Sequence, residues 1–279
     1  MFKSPYNGNM RQLFIDEYLR KKRRPKKIVP QLKILNWNIA HPSLTRAKRI
    51  ASWLEPQAAN VLILTETSNS PGCKFLYDRL ESLGFKIIFS PKEKDFGAML
   101  AFKEFKAQEL WLGLNFLPHR APAIICDTPV GTIGIIGVYV PSSVSRKEIN
   151  GKKERFQKEF TKALSKQKQK LPNLIVCGDL NVLEPNHQPH YQFLRDWEYE
   201  FYESFGQIGF IDAFRLFYPD ICEYSWYGRE GYGYRYDHCF VSKELEKYIN
   251  ACYYIHEPRK NRLSDHSAMI LKMNFQNIL

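Results

Sequence analysis

The run Leu174-Ile175-Val176-Cys177 is uninterruptedly apolar and stops abruptly at Gly178-Asp179-Leu180-Asn181. A short apolar run of this kind reads as a buried strand, and the Asp and Asn behind it set polar side chains at its end. The same break recurs along the chain. Asn38 ends Ile34-Leu35-Asn36-Trp37-Asn38, Glu66 ends Val61-Leu62-Ile63-Leu64-Thr65-Glu66, and Tyr139 ends Ile135-Ile136-Gly137-Val138-Tyr139. Asp237 and His238 interrupt Tyr234–Val241, and Asp265-His266 precede the last apolar run, Ala268–Met273. Any one of these has a plain structural explanation, because Asn and Asp cap turns and a lone His is more often structural than catalytic. Together they imply more, since strand ends converge on one rim of a sheet and sites are built on such rims.

Helical patterns lie between the strands. Ser43 can cap a helix whose apolar face is Leu44, Ala47, Ile50, Ala51 and Leu54. Glu148–Lys168 reads as a helix with Phe156, Phe160, Ala163 and Leu164 on one side, His190–Phe205 as another, and Ile211–Phe217 as a short one. Further strands are expected at Leu32–Ile39, Phe85–Phe89, Gly97–Phe102, Ala123–Cys126, Thr132–Val140, Tyr234–Ser242 and Ala251–Ile255. Two sets of strands with interspersed helices predict a four-layer α/β sandwich, two packed mixed β-sheets flanked by helices.

The 279 residues are 44% hydrophobic and 25% charged, which excludes wholesale disorder, a collagen-like chain and a coiled coil. Lys and Arg total 41 against 29 Asp and Glu, a formal charge of +12 that suits a polyanionic partner such as nucleic acid or an anionic membrane surface. No apolar run reaches the ~18 residues of a membrane span, and Leu13-Phe14-Ile15 is followed at once by Asp16-Glu17, unlike a secretory signal. The six cysteines are scattered without a CxxC pair, so they read as reduced thiols in a cytoplasmic protein. Residues 1–30 hold nine basic and two acidic residues, which places +7 of the charge there. They read as a basic N-terminal extension with a short helix near Arg11–Leu19, and 31–279 as the folded domain that carries the strand-end residues. The extension is either a solvated linker or a nucleic-acid-binding arm.

The rim residues have a readable chemistry. Glu66 and Asp265 are hard oxygen ligands and, with few histidines beside them, suit Mg²⁺ or Mn²⁺ rather than zinc. Asp179 and His266 can handle protons; Asn38, Asn181 and Tyr139 can donate hydrogen bonds to an oxyanion. No GxSxG elbow, P-loop or GxGxxG is present. Carboxylates, amides, one imidazole and a divalent metal suit hydrolysis of a phosphate ester by water.

The ordered set Leu35-Asn36-Trp37-Asn38, Leu64-Thr65-Glu66-Thr67, Gly137-Val138-Tyr139-Val140-Pro141, Cys177-Gly178-Asp179-Leu180-Asn181, Tyr236-Asp237 and Ser264-Asp265-His266 resembles the endonuclease/exonuclease/phosphatase family, over residues 32–273. Gly209-Phe210-Ile211-Asp212-Ala213-Phe214-Arg215, Ser225-Trp226 and Arg235-Tyr236-Asp237 look most like its exonuclease III and apurinic/apyrimidinic endonuclease branch. The resemblance implies a Mg²⁺-dependent phosphodiesterase acting on nucleic acid, DNA above all. It implies that Glu66 holds the metal with Asp265 and Asn38 close by, and that Asp179 orients or deprotonates water. Asn181 and His266 then bind the scissile phosphate, Asp237 keeps His266 cationic, and Tyr139 supports the phosphate or leaving oxygen. Trp226 and Arg235 are the expected substrate contacts, whereas Asp212 and Arg215 read as a helix-start pair that fixes packing. Two departures stand out. Ala40 and His41 occupy positions where the branch usually has Asn or Asp and then Gly, and the stretch Tyr227–Tyr236 is shorter than usual there. These keep open a same-fold phosphatase or phosphodiesterase acting on a lipid, inositol or small nucleotide; a non-catalytic nucleic-acid-binding module is the other alternative. His187 and His190 sit three apart but lack further ligands for a metal.

Overall fold

The computed structural model describes residues 31–92, 95–142, 147–191 and 194–276; the N-terminal extension and its expected helix lie outside the described residues. The first sheet contains β1 (Gln31–Asn38), β2 (Val61–Thr67), β3 (Lys86–Phe89), β4 (Gly97–Phe102), β13 (Ile249–Ile255) and β14 (Ala268–Asn274), in the order β13-β14-β1-β2-β4-β3. The second contains β5 (Ala107–Glu109), β6 (Ala123–Thr128), β7 (Gly131–Tyr139), β8 (Leu174–Asp179), β9 (Phe210–Asp212) and β12 (Asp237–Ser242), in the order β5-β6-β7-β8-β12-β9. β1 runs parallel to β2 and β7 parallel to β8, while the remaining pairs are antiparallel, so both sheets are mixed. A two-stranded hairpin, β10 (Trp226–Tyr227) and β11 (Gly233–Tyr234), lies apart from both.

The alternation of side chains along each strand builds the layers. Leu32, Ile34, Val61 and Ile63 of the first sheet meet Ile133, Ile135, Ile175, Cys177, Cys239 and Val241 of the second in one buried core. The intervening residues face outwards. Leu35, Trp37, Leu62 and Leu64 pack under α1 (Leu44–Leu54) and α2 (Pro71–Ser82). Ile136, Val138, Leu174 and Val176 pack under α3 (Lys147–Lys170) and α4 (Asp196–Ile208). Helix, sheet, sheet, helix is the four-layer sandwich that the strand pattern predicts. At Gly137 the sheets come so close that an added Cβ would stand 2.9 Å from Ile63 Cγ2, so the inner row of β7 keeps a glycine there.

Several local expectations are corrected. Leu44 is 43% exposed; the buried stripe of α1 starts at Ala47. Residues 190, 191, 194 and 195 are not helical, and α4 begins only at Asp196, beyond Pro189, which has no amide proton for a helix. The expected helix 211–217 divides into β9 and the five-residue α5 (Ala213–Phe217), with Asp212 Oδ1 accepting from the amides of Phe214 and Arg215 as its cap. Tyr234–Ser242 divides into β11 and β12. The unexpected α2 carries a readable start: Ser70 Oγ accepts from Cys73 N at 3.2 Å and Pro71 takes the first helical position. A four-residue helix, α6 (Glu257–Lys260), precedes the Ser264–His266 loop. Among the described residues no helix is long and apolar enough to cross a membrane.

Candidate active site

The inner-face rows turn polar at the same end of the sandwich. Leu32 and Ile34 give way to Asn36 and Asn38, Ile175 and Cys177 to Asp179, and, read backwards on the antiparallel β12, Val241 and Cys239 to Asp237. The carboxyl ends of β1, β2, β7 and β8 thereby meet the amino ends of β12 and β14. That meeting brings Asn38, Glu66, Tyr139, Asp179, Asn181, Asp237 and His266 onto one rim.

Asp179 is its centre. Its Oδ2 accepts from Asn38 Nδ2 at 2.8 Å and its Oδ1 from the Asn181 amide at 2.9 Å, so both oxygens are aimed by fixed donors. Burial, and then the charge of Asp237, push its carboxyl up to about 7, against the opposing effects of His266 and Asn38. Asp237 Oδ2 lies 2.7 Å from His266 Nδ1. Burial disfavours the imidazolium, but the charge and hydrogen bond of Asp237 outweigh it and lift His266 to about 10. The ring is therefore cationic at neutral pH, with Nδ1 turned to Asp237. Asp237 Oδ1 is buried without a hydrogen-bond partner among the described residues.

The Ser264–His266 loop is stapled to β1. Ser264 Oγ donates to the Asn38 carbonyl at 2.6 Å and accepts from the His266 amide at 3.2 Å, and Trp37 Nε1 donates to the His266 carbonyl at 3.0 Å. Ser264 and Trp37 thus take positioning roles that nothing in their sequence context reveals.

Glu66 reaches the rim through a backbone irregularity. The β2–β4 register shifts between Thr65 and Thr67, and Glu66 takes φ 56°. Bulges of this kind re-aim a side chain, and here Glu66 Oε1 accepts from Tyr139 Oη at 3.1 Å across the two sheets. Burial, then the Glu66 carboxylate, hold the Tyr139 phenol well above its ordinary pKa, so it is a donor. Arg120 lies over the Tyr139 ring at 4.7 Å. Of the eight non-glycine residues with positive φ among those described, four flank this site: Ala40, His41, Glu66 and Asn181. Such strain persists where surrounding structure imposes it. His41 Nδ1 lies 2.9 Å from Ser68 Oγ, and its ring packs 4.9 Å from that of Phe96.

Asp265 is exposed and its Oδ2 accepts from Trp226 Nε1 at 2.8 Å. This bond, with the bridge between Trp226 and His266, fixes the indole at the rim, 6.3 Å ring to ring from the imidazole. Arg235 is elsewhere, and the expectation that it contacts substrate is corrected. Its side chain is fully buried and forks onto Glu184, with Nε to Oε1 at 3.0 Å and Nη2 to Oε2 at 2.8 Å, and Nη2 also reaches Asp212 Oδ2 at 2.7 Å. Arg215 binds the same Glu184. Arg235, Asp212 and Arg215 therefore hold the loops behind the rim. His187 is part of that packing: its Nε2 accepts from the Arg235 amide and its Nδ1 donates to the Pro189 carbonyl, while His190 stacks on Tyr199.

Among the described residues no three of His, Cys, Asp and Glu are grouped to hold a metal. Mg²⁺ does not demand such a group, because it binds through one or two carboxylates and keeps several waters. Glu66 and Asp265 carry hard oxygens of the kind that ion takes, whereas the Asn38 amide is committed to Asp179 and to the Ala40 amide.

Two packed mixed sheets with this rim define an α/β sandwich hydrolase. The model of the Endonuclease/Exonuclease/phosphatase family matches residues 35–266, and the chain belongs to that family. It is 24% identical over 234 residues to an exodeoxyribonuclease of Bacillus subtilis (strain 168), covering 78% of this chain and 91% of that one. It is 23% identical over 237 residues to a DNA-(apurinic or apyrimidinic site) endonuclease of Dictyostelium discoideum, covering 79% of this chain and 65% of that protein. The fold matches the 3′ phosphatase NExo from Neisseria, in a structure bound to a product DNA hairpin, with a TM-score of 0.73 and 18% identity, over 88% of this chain and 100% of that one. It also matches an AP endonuclease from Archaeoglobus fulgidus, with a TM-score of 0.70 and 20% identity, over 86% and 98% of the two chains.

Proposed function

We propose that this protein is a Mg²⁺-dependent phosphodiesterase of the exonuclease III/AP-endonuclease type, hydrolysing DNA in a repair setting. The observation that carries the reading is the pairing of an aimed carboxylate, Asp179, with a cationic imidazole, His266, across one rim. Glu66 would hold Mg²⁺, or Mn²⁺ in its place, with Asp265 and Asn38 beside it; when bound, the ion neutralises charge on the phosphate and leaving oxygens. Asp179 orients the attacking water and takes its proton, its two oxygens fixed by Asn38 and Asn181. His266 turns Nε2 to a phosphate oxygen while Asp237 holds Nδ1, and the Asn181 side chain donates beside it. The Tyr139 hydroxyl, whose single proton goes to Glu66 in this structure, would turn that proton to the phosphate or the leaving oxygen once Glu66 holds the metal. Trp226, locked by Asp265, stacks beside a nucleotide. The names of the relatives and the charge of +12 support a nucleic-acid substrate, and the six cysteines, all free thiols, support a cytoplasmic setting.

The test is cleavage of end-labelled oligonucleotides, one containing an abasic analogue, in Mg²⁺ and in EDTA. Metal-dependent cuts are expected, and their positions separate exonuclease from abasic-site endonuclease. No cleavage of any DNA overturns the reading. Ala40 at the rim and the short segment 227–236 favour the alternative, a same-fold phosphatase or phosphodiesterase acting on a lipid, inositol or small nucleotide. A salt series separates the two, because binding to many phosphates weakens steeply with salt and binding to a small substrate does not.

A further inference from the structure

Lys153 is a buried charge that the proposed chemistry does not use. It falls in line with the apolar stripe of α3, three and seven residues before Phe156 and Phe160, where an apolar side chain is expected. Its side chain is 0% exposed, and it is ion-paired to Glu198 of α4, itself 2% exposed. Glu198 is anchored in turn, since its Oε2 accepts from the Arg195 amide at 3.0 Å. A buried ion pair is no better for stability than well-packed apolar residues, so its presence calls for another reason. The second bond of Lys153 supplies one: Nζ donates to the backbone carbonyl of Asn181 at 2.6 Å.

Asn181 needs such a hold. Its φ is 50°, a conformation that costs energy for a residue with a Cβ. Its amide is tied to Asp179 Oδ1 and its Nδ2 to the Val140 carbonyl at 2.9 Å. The Lys153 bond fixes the remaining backbone group, from the helix side of the sheet. The pair therefore links α3 and α4 to a residue of the rim.

We propose that Lys153 and Glu198 form a positioning clamp that holds Asn181, and through its amide the Asp179 carboxylate, in the arrangement needed for hydrolysis. This rests on the phosphodiesterase reading. Lys153 and Glu198 are positioning residues and touch no substrate.

Lys153→Met alone strands a buried carboxylate and is expected to lose stability, so the decisive variants are Glu198→Gln and the double change Lys153→Met with Glu198→Gln. Both are compared with the wild type by thermal melting, steady-state kinetics on a Mg²⁺-dependent oligonucleotide substrate, and hydrogen exchange read by mass spectrometry. The double variant should melt above Lys153→Met. Its turnover should stay ~10- to 100-fold below wild type with KM little changed, the usual scale for losing an outer support of a site. Glu198→Gln should lose less. In both, amides 179–182 should exchange faster while those of 174–177 keep their protection. Wild-type turnover together with wild-type protection at 179–182 in both variants overturns the clamp. If the wild type itself cleaves no phosphodiester, the functional reading falls, and the exchange measurement still decides the clamp.

Discussion

Asp179 and Asp237 stand directly opposite each other in the antiparallel β8–β12 pair, two buried carboxylates on one face of one sheet. Facing like charges destabilise a sheet unless each finds a partner. Here each does: Asp237 is taken by His266, and Asp179 by Asn38 and the Asn181 amide. The arrangement makes the imidazolium the counter-ion of both. Asp237→Asn and His266→Ala should therefore each lower turnover steeply, by ~10² to 10³ for loss of one preorganised donor. The double variant should be little worse than His266→Ala alone, because residues that act as one unit are non-additive. Fully additive losses in that cycle would show that the two side chains act separately.

Asp179→Asn keeps the shape of the rim and removes the proton acceptor, but one of the two accepted bonds, from Asn38 Nδ2 or the Asn181 amide, becomes a donor–donor contact. Turnover should fall by ~10² to 10⁴, the usual worth of a general base. Melting temperature should stay close to that of the wild type, since relief of the carboxylate facing Asp237 offsets the one hydrogen bond lost. Retained turnover would move the base elsewhere.

Chelation should abolish turnover and Mg²⁺ or Mn²⁺ should restore it, because the available ligands are carboxylate and amide oxygens. Glu66→Gln should shift the Mg²⁺ titration to higher concentration with an unchanged circular-dichroism spectrum. The Tyr139 hydroxyl keeps an acceptor in that variant, so the β2–β7 contact survives. Full activity in excess EDTA would remove the metal from the mechanism.

Much of this rim is legible in the sequence for a simple reason. Period-two alternation assigns each strand residue to a face, so a polar residue in an otherwise apolar inner row announces itself, as Asn38 and Asp179 do. The supports are illegible because their partners are remote: Ser264 and Asn38 are 226 residues apart, Trp37 and His266 229. Arg235 misleads for the same reason. Arg-x-Asp spacing places it beside Asp237 in the chain, but Glu184, 51 residues away, and Asp212 enclose it behind the rim. Lys153 hides differently, as one more basic residue on a basic helix, and only its alignment with Phe156 and Phe160 hints that it points inwards.

The Arg235 network gives the fold an acid limit. Burial works against the charge of Glu184, but the Arg215 hydrogen bond and the Arg235 charge overcome it and hold its carboxyl down at about 2, from 4.5. A carboxyl with a lowered folded pKa binds fewer protons when folded, so its contribution is complete above 4.5 and is lost as pH falls towards 2. Melting temperature should fall across that window in the wild type. Glu184→Gln should be less stable at neutral pH and show a flatter profile through it. Arg235→Met, which takes the bonded guanidinium from buried Asp212 and leaves Glu184 with Arg215 alone, should cost about 3–5 kcal/mol in denaturant unfolding. A neutral effect would mean that the network is dispensable.

Residues 1–30 contain none of the rim residues yet carry +7 of the charge of +12, and we propose that this basic extension acts apart from the rim. Deleting them should leave turnover at saturating substrate intact, because every side chain proposed for the chemistry lies between Asn38 and His266. Affinity for long DNA should fall, and its salt dependence should become shallower. For every duplex phosphate that the extension neutralises, its deletion should flatten the slope of log K against log salt by about 0.9. A solvated linker predicts something different: the same slope before and after deletion. Binding titrations at several salt concentrations, on one long duplex and one short oligonucleotide, therefore distinguish arm from linker. An unchanged slope on the long duplex would end the arm reading, and loss of turnover on the short oligonucleotide would show that the extension supports the catalytic domain itself.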